Sequence, residues 1–347
     1  MSGLSDDLLV KILSFVPTKV AVSTSVLSKR WECLWMWVPT FEDINTDIKD
    51  RYRVSVHKNL LSHRAPIIES LRLKFCLGSL QPEDIKQWVV SRCVRVLSTT
   101  LVTLKLEGNK ILVDVPPTVC LPSLATLQLL CVTYFDEASL RMLLSNCPVL
   151  EDLVIERDTA DDNAKGLVVV VPSLQRLSLQ IDGGCCSYDG YVIDTPSLMY
   201  FKDYRDRDGF FYLIKDMPKL EEADIAVKYG LQEFLESVTS VKRLSIIVLF
   251  NNEEESMYCS CIVFNQLQRL KLSICNDDWS NLGINALTST SYERTSWDNE
   301  WSVTPNCLLK TLETFEFSGC KGRPQERAFL SFFFTNARCL KSTSILR

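Results

Sequence analysis

Residues 121–130 read LPSLATLQLL. After Pro122 the apolar positions are Leu124, Leu127 and Leu129: apolar, two residues, apolar, one residue, apolar. The alternating pair at the end is a short strand with one face turned inward, because successive side chains of a strand point to opposite faces. The first leucine tucks the preceding turn into the same core. Pro122 fixes that turn and ends whatever came before it. A single unit of this kind cannot bury its own apolar face, so it needs neighbours of the same shape.

The neighbours are present on both sides. Upstream are Ile68-Leu71-Leu73 and Leu101-Leu104-Leu106. Downstream follow Leu150-Leu153-Ile155, Leu174-Leu177-Leu179, Leu220-Ala223-Ile225, Val241-Leu244-Ile246 and Leu267-Leu270-Leu272. A degraded copy stands at Leu198-Phe201 and a last one at Leu312-Phe315-Phe317. Pro148, Pro172, Pro196 and Pro218 repeat the placement of Pro122. The step averages about 24 residues, inside the period of leucine-rich repeats. The copies lack the regular Asn of the most regular repeats, so the solenoid expected over 66–275 is an irregular one. A non-repeating α/β domain is the competing reading, and ten ordered copies weigh against it. Residues 136–145 show the clearest helical return. Two stretches break the rhythm. The Gly-rich 182–190 lacks the spacing of a phosphate-binding loop and reads as a hairpin or inter-repeat loop. Residues 276–306 read as an insertion with Trp279, Tyr292, Trp297 and Trp301, a segment that either functions or packs back on the domain.

Before the repeats, Leu4–Val38 reads LSDDLLVKILSFVPTKVAVSTSVLSKRWECLWMWV. Ser5 is an N-cap candidate, Asp6 and Asp7 suit a first turn, and Leu8, Leu9, Ile12, Leu13 and Val16 recur at helical spacing up to Pro17. Thr18 is placed to cap a second helix running to Leu27. Ser28 is placed to cap a third with Trp31, Leu34, Trp35 and Trp37. So short a segment does not build a sufficient core alone. Its apolar faces pack either on the rest of the chain, as an N-terminal cap, or on another protein.

This segment resembles a plant F-box. The likeness is carried by Leu4, Asp6-Asp7-Leu8-Leu9, Ile12-Leu13-Ser14-Phe15, Pro17-Thr18-Lys19, Thr24 through Trp31, and Leu34-Trp35. Where that family usually has Leu-Pro before the acidic pair, this chain has Leu4-Ser5. A second resemblance lies at the other end. Trp301, Pro305, Cys307-Leu308-Leu309, Leu312, Phe315, Phe317, Gly322, Glu326 and Asn336 to Lys341 look like the FBD domain that ends many plant F-box proteins with leucine-rich repeats. Physically it is one more strand, a turn at 319–324, a helix from Gln325 to Asn336 and a final strand from Lys341 to Leu346. On that helix Ala328, Phe329, Phe332 and Phe333 are expected to close the end of the solenoid. The fold expected is α/β: an F-box of three helices over 1–40, a connector over 41–65, repeats over 66–275, the insertion over 276–306 and an FBD region over 307–347.

Composition narrows the function classes. Lys plus Arg number 38 and Asp plus Glu 43, for a net charge of −5, which argues against a dedicated nucleic-acid surface. No apolar run approaches the roughly 18 residues of a membrane span, and acids occupy the place of a signal peptide's basic region. An intracellular location, nucleus or cytoplasm, is the expectation. The 14 cysteines read as reduced thiols. Some, such as Cys76, Cys131 and Cys275, follow strand-like runs where a small buried hydrophobe fits. Cys185-Cys186 and Cys259/Cys261 lack the second half of a zinc site. The only histidines, His57 and His63, fall on different sides of a helix and are poor joint ligands. No acid-base pair or nucleophile motif is recognisable, and no cofactor is called for.

The resemblance implies a non-catalytic adaptor. Its F-box would dock on a Skp-family linker that leads to a cullin, and its repeats would hold a target protein for ubiquitin transfer. On that reading the linker contact falls among Leu4, Leu8, Leu9, Ile12, Leu13, Pro17, Leu27 and Trp31, some of which must serve the segment's own core. The alternative is a leucine-rich-repeat binding module acting outside any ligase complex.

Overall fold

The computed structural model describes residues 3–44, 62–74, 99–108, 112–113, 120–134, 137–158, 166–182, 190–205, 212–215, 217–227, 231–248, 264–274 and 306–346. The chain forms two compact units, Met1–Leu174 and Gln175–Arg347. His57, most of 182–190 and almost all of 276–306 lie outside the described residues, as do Cys76, Cys185, Cys186, Cys259, Cys261 and Cys275.

The first unit opens with α1, Asp6–Leu13, and α2, Thr18–Ser23. Ser5 is extended and accepts the Leu8 N–H on Oγ at 3.4 Å, a long cap bond. Past Leu13 the chain tightens into i→i+3 bonds, Phe15 to Ile12 and Val16 to Leu13, before Pro17. Thr18 is not the cap expected of it. Pro17 holds that position, and Thr18 Oγ1 instead accepts the Glu42 N–H at 2.8 Å, tying α2 to the first strand. The second helix is also shorter than expected: a 3-10 turn takes over at Thr24–Val26. In place of a third α-helix there are turns from Ser28 and a 3-10 helix at Leu34–Trp37. Three tryptophans in seven residues lose side-chain freedom in an α-helix. The tighter turn points Leu34 and Trp35 inward and leaves Trp37 half-exposed.

Five parallel strands follow in this unit: β1 Thr40–Ile44, β2 Ser70–Lys74, β3 Thr103–Glu107, then β5 Thr126–Leu130 and β7 Asp152–Asp158. Short β4, Leu112–Val113, and β6, Thr133–Tyr134, pair with each other. The helical return α3 is Glu137–Ser145, and β8, Gly166–Val170, lies beside it. The repeat motif sets the register. Leu71, Leu104, Leu127 and Leu153 stand side by side, and so do Leu73, Leu106, Leu129 and Ile155. Cys131 is only half-buried, in a left-handed turn (φ 54°) just after β5, where its N–H reaches the Glu156 carbonyl at 2.7 Å.

The second unit repeats the device with β9 Arg176–Asp182, β11 Tyr200–Arg205, β13 Glu222–Val227, β14 Arg243–Val248, β15 Arg269–Ile274, β16 Thr314–Ser318 and β17 Ser342–Leu346, all parallel. Between them, β10 Gly190–Asp194 pairs with β12 Tyr212–Ile214, and α4 is Leu231–Ser237. Leu177, Phe201, Ala223, Leu244, Leu270 and Phe315 form one inward row. In the next row, between Leu179 and Ile225, stands Asp203, buried to 2% exposure, which is why that copy of the motif reads as degraded. Before each strand one carbonyl accepts two successive N–H groups of the next repeat: Met199 from Glu221 and Glu222, Glu221 from Lys242 and Arg243, Lys242 from Gln268 and Arg269.

Helices α5, Asn306–Lys310, and α6, Pro324–Asn336, complete this unit. The α6 ring of Phe333 stacks on Phe315 at 4.0 Å, and Phe329 packs near Phe317 at 6.2 Å. Ala328, expected to share that work, is exposed. The end of the sheet is covered only in part, since β17 pairs beyond β16 and leaves Ile345 and Leu346 exposed.

Candidate functional site

The N-terminal helices sort their apolar side chains into two sets. Leu9 and Leu13, at 0% and 2% exposure, form a small core with Ala21, Leu34, Trp35 and Val38, against which Leu4 and Trp31 pack half-buried. Leu8 and Ile12 are 49% and 46% exposed. They sit four residues apart on one helix face. Phe15 is 79% exposed, Val26 88% and Leu27 63%. Pro17 is exposed beside them in sequence.

Of the eight residues expected to meet a partner, Leu8, Ile12, Pro17 and Leu27 thus lie at the surface. Leu9 and Leu13 are interior, and Leu4 and Trp31 are half in and half out. The sequence reading left out Phe15 and Val26, the most exposed large apolar side chains described. Their signal was the position of Phe15 just past the last turn of α1, where no following turn can cover it. For Val26 it was adjacency to Leu27 in a helix too short to have a buried side. With Val20, also half-exposed, six large apolar groups lie open on about twenty residues, a concentration of the kind that marks interaction surfaces.

Polar contacts hold this surface in place. Arg30 Nε donates to Asp6 Oδ1 at 2.8 Å, and Arg30 also donates to the Leu4 carbonyl. Past the last turn of these helices, Arg64 and Ala65 donate backbone N–H groups to the Met36 carbonyl at 2.8 and 3.0 Å. Between these elements the His63 ring meets Phe41 edge-on at 5.9 Å, and burial pushes its pKa down to about 4.

The described residues hold no group of three or more His, Cys, Asp or Glu able to bind a metal ion. Burial pushes the Cys147 thiol up to about 12 and the Cys307 thiol to about 11, so both are poor nucleophiles. A groove of about 300 Å³ beside Met199, Pro218 and Ser240 is lined by Glu221 and Lys242, already paired at 2.9 Å. No described helix is long and apolar enough to cross a membrane.

Comparison with known proteins assigns the parts. An F-box domain model matches residues 1–43, a model described as "FBD-associated F-box protein At5g56370, LRR repeats" matches 77–272, and an FBD model matches 299–345. Among curated relatives, the FBD-associated F-box protein At5g60610 of Arabidopsis thaliana is 49% identical over 99% of this chain and 99% of its own length. The putative FBD-associated F-box protein At5g56700 of the same plant is 54% identical over 100% and 97%. The putative F-box/FBD/LRR-repeat protein At4g00315, also from Arabidopsis thaliana, is 44% identical over 99% and 92%. With an F-box at its start, leucine-rich repeats along its length and an FBD domain at its end, this chain belongs to the plant family of FBD-associated F-box proteins with leucine-rich repeats.

Proposed function

We propose that this chain is a substrate-recognition adaptor of a Skp-cullin-F-box ubiquitin ligase, working inside the cell and carrying no catalysis of its own. The observation that carries this reading is the exposed apolar set on the segment matching the F-box model, Leu8, Ile12, Phe15, Val26 and Leu27. The Skp-family linker docks there, with Pro17 at the rim. Leu9 and Leu13 support the surface from beneath, and Leu4 and Trp31 contribute their exposed edges. The cullin is reached only through the linker. The division of labour follows the sequence: 1–40 docks, 41–65 connects, the repeats over 66–275 hold the target, 276–306 is an insertion, and the FBD region over 307–347 ends the repeats. Where the family usually has proline before the acidic pair, Ser5 caps α1 and so helps set the helix start.

Co-expression with a plant Skp-family linker, followed by affinity capture and size-exclusion chromatography, tests the assignment. A stoichiometric complex is expected. Folded chain that ignores every linker tested overturns the adaptor reading and leaves a stand-alone binding module.

A further inference from the structure

In the sheet of the Gln175–Arg347 unit the outward side chains of neighbouring strands stand in register, so each charge has a defined neighbour. Glu222 stands opposite Arg243 and accepts from its Nε and Nη2 at 3.0 and 2.8 Å. On its other side Arg243 faces Arg269, a second cation. Two residues further along the same strand and the same face comes Lys271. Arg269 and Lys271 are both exposed, and among the described residues neither has an ion-pair partner. Glu316 is in register with Lys271 without pairing to it.

Like charges directly opposite one another destabilise a sheet. The other unit contains a comparable pair, Arg72 beside Lys105, but there Glu42 approaches Arg72 at 3.5 Å and Glu107 approaches Lys105 at 3.3 Å. At Arg243 and Arg269 two cations stand opposite one another; Glu222 pairs with Arg243, and no acid among the described residues pairs with Arg269 or Lys271. Such local conflicts mark surfaces kept for a ligand.

We propose that this face docks an extended acidic segment of polypeptide, with carboxylates at alternate residues. Side chains two apart on a strand repeat at about 6.6 Å, and those of an extended peptide lying along β15 repeat at the same pitch. Arg243 lies about 4.8 Å to the side but is held by Glu222, so Arg269 and Lys271 are the two cations left to the peptide. The guanidinium of Arg269 suits bidentate carboxylate binding. At the end of the same face the hydroxyls of Ser273 and Ser318, 2.6 Å apart, supply neutral donors. The net charge of −5 disfavours a long polyanion and leaves only a short segment to this local patch. Describing that segment as part of the ubiquitination target rests on the adaptor reading; the binding itself does not.

The test is fluorescence anisotropy on the full-length chain with a labelled peptide bearing glutamate at every second residue. Binding is expected to weaken with salt and to vanish for the peptide with glutamine in place of glutamate. The double variant R269E/K271E, and the milder R269Q/K271Q, should weaken it by about tenfold or more. Lys202→Glu, on the same face but in β11, should leave it unchanged. Equal affinity for the glutamine peptide, undiminished binding by both double variants, or tighter binding of single-stranded DNA of equal charge would overturn the proposal. Linker capture is assayed in parallel. Chain that captures a linker yet ignores the acidic peptide overturns this proposal alone. Chain that binds the peptide yet ignores every linker overturns the adaptor reading alone.

Discussion

Arg30 Nε stands 2.8 Å from Asp6 Oδ1, and the same guanidinium donates to the Leu4 carbonyl, so the turn after α2 clamps the start of α1 across 24 residues of chain. Asp6 is one of the two acids in the first turn of α1, and Leu8 stands two residues beyond it. The clamp therefore fixes the helix end from which the exposed apolar face begins.

Arg30→Ala should loosen that end without unfolding the unit. The pair is solvent-exposed, so its loss costs at most about 1 kcal/mol. The Leu9 N–H, bonded to the Ser5 carbonyl at 3.1 Å, should exchange with solvent severalfold faster in the variant, with the melting temperature nearly unchanged. Unaltered exchange at Leu8 and Leu9 would show that the Ser5 cap alone sets the helix start.

The two apolar faces of α1 should respond oppositely to substitution. Leu8→Asp and Ile12→Asp place a charge in an apolar contact and should abolish linker capture while the chain stays folded. Leu9→Ala and Leu13→Ala remove interior volume and should cost about 2–5 kcal/mol of stability, read by thermal melting. Phe15→Ala should weaken linker capture at unchanged melting temperature. Capture that survives both aspartate variants would remove the docking assignment.

Much of this architecture is visible in the primary structure for a physical reason. The repeat motif encodes inward side chains at fixed offsets, and Leu127 and Leu129 stand in register with Leu153 and Ile155 because the same offsets recur. The exposed apolar face of α1 is only half legible. Leu8-Leu9 and Ile12-Leu13 are adjacent apolar doublets, and periodicity cannot tell which member of a doublet turns inward without knowing where Trp35 and Leu34 fold back. Asp203 hid one repeat by placing a carboxyl on an inward row. The third helix failed because tryptophan content and i→i+3 bonding overrode an apolar spacing that fits a helix. Arg269 reads as ordinary surface charge until register sets Arg243 beside it.

His63 predicts a pH dependence confined to the join between the F-box segment and the first repeat. Burial holds its pKa at about 4, below the ordinary value of 6.5. The unfolded chain therefore takes up the proton more readily, and stability is lost as pH falls from about 6.5 toward 4, by on the order of 3 kcal/mol at the acid end. Above that range the contribution is constant. Exchange of the Arg64 and Ala65 amides, both bonded to Met36, should accelerate across this window in the native chain and not in His63→Gln. Parallel pH profiles for the two would contradict the assignment.

Glu326 should behave in the same direction for a different cause. Its side chain is fully buried at the start of α6. Burial alone would raise its pKa, but the backbone N–H groups of Arg323, Lys321 and Gly322 and the Cys320 thiol outweigh that and hold it below the usual carboxylate range. A depressed carboxyl adds stability above its unfolded pKa and loses it as pH falls through the folded value. Glu326→Gln keeps the shape but not the charge, and should cost about 1–3 kcal/mol at neutral pH. Denaturant melts followed at pH 7 and pH 3 check this: the gap between native and variant should narrow at the lower pH.

Two glycines close to α6 should differ sharply in tolerance. Gly322 has φ +74°, and an added Cβ would meet nothing nearer than Arg327 Nη2 at 3.9 Å. Gly322→Ala should therefore cost only the left-handed backbone penalty of about 1–2 kcal/mol. Gly319 has φ +83°, and its Cβ would fall 2.1 Å from the Ile274 carbonyl oxygen, a backbone atom that cannot swing aside. Relief requires β15 and β16 to separate where Ser273 and Ser318 are in register. Gly319→Ala should thus exceed about 4 kcal/mol, in the range reserved for core disruption, and should expose the Phe315–Phe333 stack to solvent. Equal melting temperatures for the two alanine variants would mean that the strand end accommodates the methyl group by a shift the packing here does not allow.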